Sequence, residues 1–290
     1  MKPSLFLNQL TIIDHAYIGK DHKVHGNSFN PSFIVSGEVD PHESVIVDFS
    51  TIKKDIKLII DNHDHNNSDN GLDHKLIVLK NSYNDIVYHN NIITIKTDTF
   101  ETTMPCDAVK VIEEISNYSV KAFGDYLEVF LKEKLTEIYP LINIDVKCNN
   151  SEAPVFYSSN FIDYIMFRYV HGLKNSTSYG CQNANHGHLS YIQSIELYNN
   201  PELVAKIKAD IDDCIFIFKE NIIEEDVDTI TIEYTTVRGL FRSKYYKKFY
   251  KIIILPTETT VEFLAMYIKE RYMLTEQLYV SEGLSKGAMI

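Results

Sequence analysis

Tryptophan is absent from the 290 residues, and only four cysteines occur: Cys106, Cys148, Cys181 and Cys214. None shows the short paired spacing of a zinc ribbon or a disulfide scaffold, so the thiols read as free, in a reducing compartment. An excess of cationic residues is missing too, since 28 Lys+Arg stand against 40 Asp+Glu, a formal net charge of −12. A phosphate backbone would meet net repulsion, so no nucleic-acid partner is expected. No run of about 18 apolar residues occurs, and Asn8, Gln9, Asp14 and His15 stand where a signal peptide needs an apolar stretch. The expected setting is the cytoplasm, without a membrane partner. What is present, 44% hydrophobic, 12% aromatic and 23% charged residues, is ordinary for a folded chain.

The chain repeats itself. His25-Gly26-Asn27 opens an alternating stretch, Ser28 to Val39, and His186-Gly187-His188 opens another, Leu189 to Leu197. Each reads as a strand with one apolar face. A helical segment follows in both halves, Thr51 to Asp61 and Pro201 to Asp212, and then a matching pair, Leu72-Asp73-His74-Lys75 and Ile211-Asp212-Asp213-Cys214. Second helices are predicted at Val120 to Glu137 and Thr260 to Tyr272, from apolar residues at three- and four-residue spacing. Pro154 and Ser158-Ser159-Asn160 interrupt the pattern between the halves. The order predicts two homologous α+β domains, 1–158 and 159–290.

His171, His186 and His188 are the only histidines of the second half. Residues at i and i+2 of a strand face the same way, so His186 and His188 can address one ion. His171 ends the run Phe161 to Val170, an expected antiparallel neighbour. Three neutral imidazoles with an open fourth position describe a catalytic zinc site. Cys181 lies five residues before His186 in a polar, mobile loop, where a nearby cation would favour its thiolate. Cys214, inside an apolar run, reads as core.

These residues together resemble the family of 6-pyruvoyltetrahydropterin and 6-carboxytetrahydropterin synthases, which are built on the tunnelling fold. The resemblance runs over nearly the whole chain, twice. It implies two tandem tunnelling-fold domains, with antiparallel sheets carrying helices on one face and closing into a barrel in a homo-oligomer. It also implies Zn2+ on His171, His186 and His188, Cys181 as the catalytic thiol, Thr260 and Glu262 opening the second helix, and Glu282 anchoring the pterin. A carboxylate suits that last role, since it accepts two parallel hydrogen bonds. Asp213 stands where the family has a histidine, whereas the first half keeps Asp73-His74. Conversely, His15 and His25 match two zinc ligands but Asn27 replaces the third, and Lys121 and Cys148 replace the two glutamates. The halves look complementary, and one composite site per pair of halves is expected, formed within a chain or between chains, with Asp73 and His74 as its proton-transfer pair; the alternative is that the first half is a decayed structural copy.

Arg238, Arg242, Lys244, Lys247, Lys248 and Lys251 cluster on an expected hairpin. Arg238 and Arg242 are the expected contacts for a substrate triphosphate, because arginine holds phosphate oxygens bidentately, with a solvated basic hairpin as the equal alternative. His63 and His65 form another HxH in a run of Asn and Asp, read as a solvated loop. The activity implied is 6-carboxytetrahydropterin synthesis from 7,8-dihydroneopterin triphosphate, toward 7-deazaguanines such as queuosine. The alternatives are 6-pyruvoyltetrahydropterin synthesis and non-catalytic pterin or purine binding.

Overall fold

The computed structural model describes residues 3–42, 44–61, 71–79, 85–149, 164–198 and 200–290. The HxH at His63 and His65 and the expected boundary at 158/159 lie outside them, as does the side chain of Cys148. The first half runs through β1 (Ser4–Leu7), β2 (Ile13–Ile18), β3 (Val24–Gly37), α1 (Phe49–Asp61), β4 (Lys75–Leu79), β5 (Asp85–His89), β6 (Ile92–Lys96), β7 (Phe100–Pro105), β8 (Val109–Ile112), α2 (Val120–Ile138) and β9 (Ile142–Asn149). The second runs through β10 (Ile165–His171), β11 (His186–Gln193), α3 (Ile195–Tyr198), α4 (Pro201–Ile211), β12 (Cys214–Phe218), β13 (Ile222–Glu225), β14 (Thr229–Thr236) and β15 (Gly239–Tyr246). It ends with β16 (Lys251–Leu255), α5 (Val261–Arg271), β17 (Tyr279–Ser281) and β18 (Gly287–Met289). This is an α+β protein, and among the described residues there are three sheets, none of them closed into a barrel.

The helices form where the sequence supplies caps and one apolar face. Ile52, Ile56 and Ile60 share the buried face of α1, and the Asp48 carboxylate accepts from the Thr51 amide at 2.9 Å as its cap. Ser119 caps α2 through the Ala122 amide, and Asn200 caps α4 with Pro201 at its first position. In α5, Leu264, Ala265 and Ile268 point inward, while Phe263 is exposed.

In both halves an antiparallel hairpin is extended by two parallel strands: β4 and β8 beside β2, β12 and β16 beside β10. Lys75–Leu79 and Cys214–Phe218 are buried throughout because both faces of these strands are covered. Ile77 and Leu79 face α1 and α2, while Cys214 and Phe216 face α4 and α5. Leu76, Val78, Ile215 and Ile217 enter a central core shared by the two halves.

The halves also share a sheet. β15 pairs with β7, Arg242 opposite Thr103 and Tyr245 opposite Phe100, giving the order β13-β14-β15-β7-β6-β5. A second seam lies where β3 meets β11. A Cβ on Gly187 would collide with the Gly26 Cα, and one on Gly26 would come within 2.8 Å of the His188 amide nitrogen. Glycine is required at both positions by this close approach. Gly26→Ala is expected to destabilise the protein by about 3 kcal/mol or more, the upper end for overpacking, because the clash is with backbone. Denaturant unfolding would show it, and an unchanged midpoint would rule out the seam.

Candidate active site

The antiparallel register of β10 and β11 sets His171 directly opposite His186, and His188 follows on the same face two residues on. Ring centroids are 4.2 Å apart for His171 and His186, 5.2 Å for His171 and His188, and 5.1 Å for His186 and His188. His171 Nδ1 donates to the Thr259 carbonyl at 2.8 Å, and His186 Nδ1 to the Asn183 carbonyl at 2.9 Å. These bonds leave the two Nε2 lone pairs turned inward. The Nε2 atoms of all three histidines are buried and have no hydrogen-bond partner. Burial and the neighbouring imidazoles push His171 and His186 well below the usual histidine range, so both are neutral. Buried, neutral imidazoles whose ligand atoms lie within 4.8 Å of one another suit a divalent cation, so the residues fit the metal that the resemblance implied.

Two residues from the first half complete the group. His74 lies with Nε2 3.6 Å from Cys181 Sγ, and its Nδ1 is 2.7 Å from Asp73 Oδ2. His74, Cys181 and His186 bring their ligand atoms within 4.8 Å of one another. Burial disfavours the His74 imidazolium, but the Asp73 carboxylate and then the Cys181 sulfur outweigh it, raising His74 well above the ordinary histidine value. His74 has a positive φ of 55°, a conformation stabilised by its amide bonding the Asp14 carbonyl. Gly180 makes room for it: a Cβ there would lie 2.7 Å from the His74 ring.

Cys181 is not in a loose loop. It sits in a buried 3₁₀ turn, Gly180–Gln182, its carbonyl accepting from Leu173 and its thiol donating to Ser178 Oγ at 3.3 Å. Asn183 ties the turn to the first half, bonding the carbonyls of His74 and Ala108. Cys214 is buried under the helices, as expected.

Asp14, which the sequence reading passed over, is buried at this site. Its Oδ1 is 3.3 Å from His188 Nδ1, the carboxylate–histidine arrangement that orients a metal-binding imidazole. Burial opposes its ionisation, but His188, Lys286 and His74 more than offset that and hold its carboxyl well below the usual range. Lys286 bridges Asp14 at 3.4 Å and Glu282 at 3.5 Å. A charged residue inside the apolar run Ile12-Ile13-Asp14 was the available signal.

Glu282, half-buried beside Lys286, is therefore close to the group. Thr260 is the N-cap of α5 but makes no side-chain capping bond, and Glu262 is exposed in its first turn. It is Thr259, through its carbonyl and hydroxyl, that holds His171. The two arginines are placed otherwise than expected. Arg238 is buried against Asp107 and Tyr179. Arg242 is exposed and pairs with Glu233, and since its neighbour Ser243 faces Asn185, Arg242 lies on the opposite face of β15. Neither is presented to a phosphate at this site.

Residues 11–122 match the family model described as 6-pyruvoyl tetrahydropterin synthase. The chain carries a domain of this family. No curated protein matches it. The family is one of pterin-processing tunnelling-fold proteins, generally lyases, whose enzymes typically bind a metal. The matched stretch includes Asp73 and His74, while Cys181 and the three histidines lie beyond it. No helix among the described residues is long and apolar enough to cross a membrane.

Within the matched stretch the corresponding position is filled differently. His15 pairs with Asn27 and Lys75 as Tyr169 pairs with His188 and Cys214, so His15 is the counterpart of Tyr169. Tyr17, opposite His25, is the counterpart of His171, which corrects the expectation that His15 matches a ligand. The Tyr118 hydroxyl sits between His15 Nε2 at 2.7 Å and Asn27 Nδ2 at 2.8 Å, and its ring stacks 3.6 Å from that of Tyr17. His25 is bonded on both nitrogens, to Asp213 and Asp21.

His15 itself is sandwiched between Phe29 and Phe123, and burial, as the leading cause, lowers it to about 4. A histidine depressed in the folded state binds fewer protons than in the unfolded chain between about pH 4 and 6.5, so stability is lost as pH falls through that window. The loss is about 3 kcal/mol, from roughly 2.5 pH units at 1.36 kcal/mol each. Comparing the pH dependence of unfolding with that of His15→Phe isolates it, and parallel curves would show that His15 makes no such contribution.

Proposed function

We propose that the chain is a zinc-dependent lyase that converts 7,8-dihydroneopterin triphosphate to 6-carboxytetrahydropterin. The observation that carries this reading is the contact of His74 with Cys181, 3.6 Å apart beside three histidines whose Nε2 atoms are unpartnered. A mere pterin binder needs no thiol and no proton-transfer pair next to such a cluster. Each half is read as a tunnelling-fold unit, and open sheet edges are the physical reason to expect a homo-oligomer.

His171, His186 and His188 would hold the ion, with Asp14 orienting His188. A zinc ion there supplies Lewis acidity toward the substrate's side-chain oxygens, easing removal of a neighbouring proton. The Cys181 sulfur is the group that takes up that proton. His74, held protonated by Asp73, delivers a proton on the same side, and the pair is the acid–base couple of the site. Glu282 anchors the pterin by its amino group and ring N–H, and Lys286 neutralises the buried carboxylates. Thr260 and Glu262 line the approach from α5 in this reading.

Mass spectrometry of products from zinc-loaded protein and the triphosphate substrate tests the proposal. 6-Carboxytetrahydropterin with acetaldehyde is the expected result. A 6-pyruvoyl product would keep the site chemistry and change the product, and unchanged substrate would overturn the enzyme reading.

A further inference from the structure

Arg238 is a buried cation that contacts Tyr179, at the start of the turn carrying Cys181, as well as Asp107 and the Phe241 ring. Arg238 lies between β14 and β15, its side chain only 1% exposed. Its guanidinium sits 4.3 Å from the centroid of the Tyr179 ring, and Nη1 donates to the Tyr179 carbonyl at 3.1 Å. Nη2 faces Asp107 Oδ2 at 3.4 Å, and the Tyr179 hydroxyl donates to the same carboxylate. Asp107 belongs to the first half, in the turn between β7 and β8, and its carbonyl accepts from Lys75 Nζ. Lys75 is the residue after His74. On the far side of the turn, Asn183 bonds the carbonyls of His74 and Ala108, and the Tyr234 hydroxyl bonds the Gln182 carbonyl at 3.1 Å. Residues 179–183 are thus held at both ends against the first half, at Tyr179 through Asp107, which also holds Lys75, and at Asn183 through the carbonyls of His74 and Ala108.

We propose that Arg238 is a positioning residue, which with Tyr179 and Asp107 locks the Cys181 turn of the second half against His74 of the first. A planar fork suits the task because it bonds a carbonyl, faces a carboxylate and stacks on a ring at once. The shared sheet makes this possible: β15 is fixed on β7, so the turn bearing Arg238 keeps its distance from Asp107. The kinetic consequence rests on the lyase reading above, whereas the structural consequence does not.

The test uses the full chain with Arg238→Met and Tyr179→Phe. The second is the milder change and decides the matter should the first fail to fold, because Arg238→Met leaves Asp107 short of a cation. Both variants should keep their metal and a KM within about twofold, while kcat falls about 10- to 100-fold, the scale of an ångström's misplacement. The acid and base limbs of the kcat–pH profile should move, as they would not for a loss of stability alone. Amide exchange of residues 179–183, measured without substrate, should quicken about tenfold while β10 and β11 keep their protection. A KM raised tenfold at unchanged kcat would overturn the proposal in favour of direct phosphate contact. Unchanged kcat and unchanged exchange in folded variants would overturn it outright. If the native chain shows no turnover, the lyase reading fails by itself, and the exchange data still decide the clamp.

Discussion

His186→Ala should strip the chain of its metal and reduce turnover by about 10³-fold or more, the equivalent of several kcal/mol of Lewis-acid stabilisation. Among the described residues the three Nε2 atoms have no hydrogen-bond partner, a deficit that a bound cation would satisfy. Removing one imidazole leaves two ligands and a hole where the third stood. His186 is the most telling choice because its Nδ1 bond to Asn183 fixes its tautomer, and because it also neighbours His74 and Cys181. Native protein should bind about one zinc per chain, and chelation should lower its Tm, since a ligand at a thousand times its Kd adds about 4 kcal/mol. His186→Ala should start at the lower Tm and be insensitive to chelator. Elemental analysis and thermal melts read both effects. Full metal content in the variant would remove this cluster from consideration.

Cys181→Ala and His74→Ala should each lower kcat by about 10²- to 10⁴-fold, the usual range for an acid–base group, with metal retained. The double variant should be little worse than the weaker single, because residues that act on one proton act as a unit. His74 is the sharper case, since it lies 107 residues from Cys181 in sequence and meets it only through the fold. Losses that multiply in the double variant would show that the two groups do not share a step. His74→Ala with native turnover would show that Asp73-His74 is a structural remnant.

Much of this site was legible from spacing. His186 and His188 two apart on a strand, with His171 ending the strand before, is enough to bring three imidazoles to one face, because strand geometry has a period of two. Complementary losses in the two halves, Asp213 in one and Asn27 in the other, pointed to a shared site. The helix spans were also readable, from capped apolar faces such as Ile52, Ile56 and Ile60.

What stayed hidden depends on contacts between the halves. Asp14 serves His188 across 174 positions, brought together by the seam at Gly26 and Gly187 and by Ser28, whose hydroxyl donates to Asp14 and accepts from the Leu189 amide. The alignment of His15 with a ligand position failed because pairing register, not order along the chain, decides which residue faces His25. Arg238 and Arg242 looked equivalent as two cations of one hairpin, yet the turn buries one and the pleat sends the other to the outer face. Local sequence carries charge, but burial is a property of the packed whole.

The claim that one chain contains a complete site made by both halves is tested most directly by complementation. Cys181→Ala and His74→Ala chains are co-refolded in equal amounts and assayed for turnover of 7,8-dihydroneopterin triphosphate, beside native chains co-refolded with the double variant. The mixture should be no more active than the sum of the two variants alone, because no chain in it holds both groups and, on this account, each site draws them from a single chain. Recovery of about a quarter of native activity, as random pairing of two chains predicts, would contradict the account and place His74 and Cys181 of each working site on different chains.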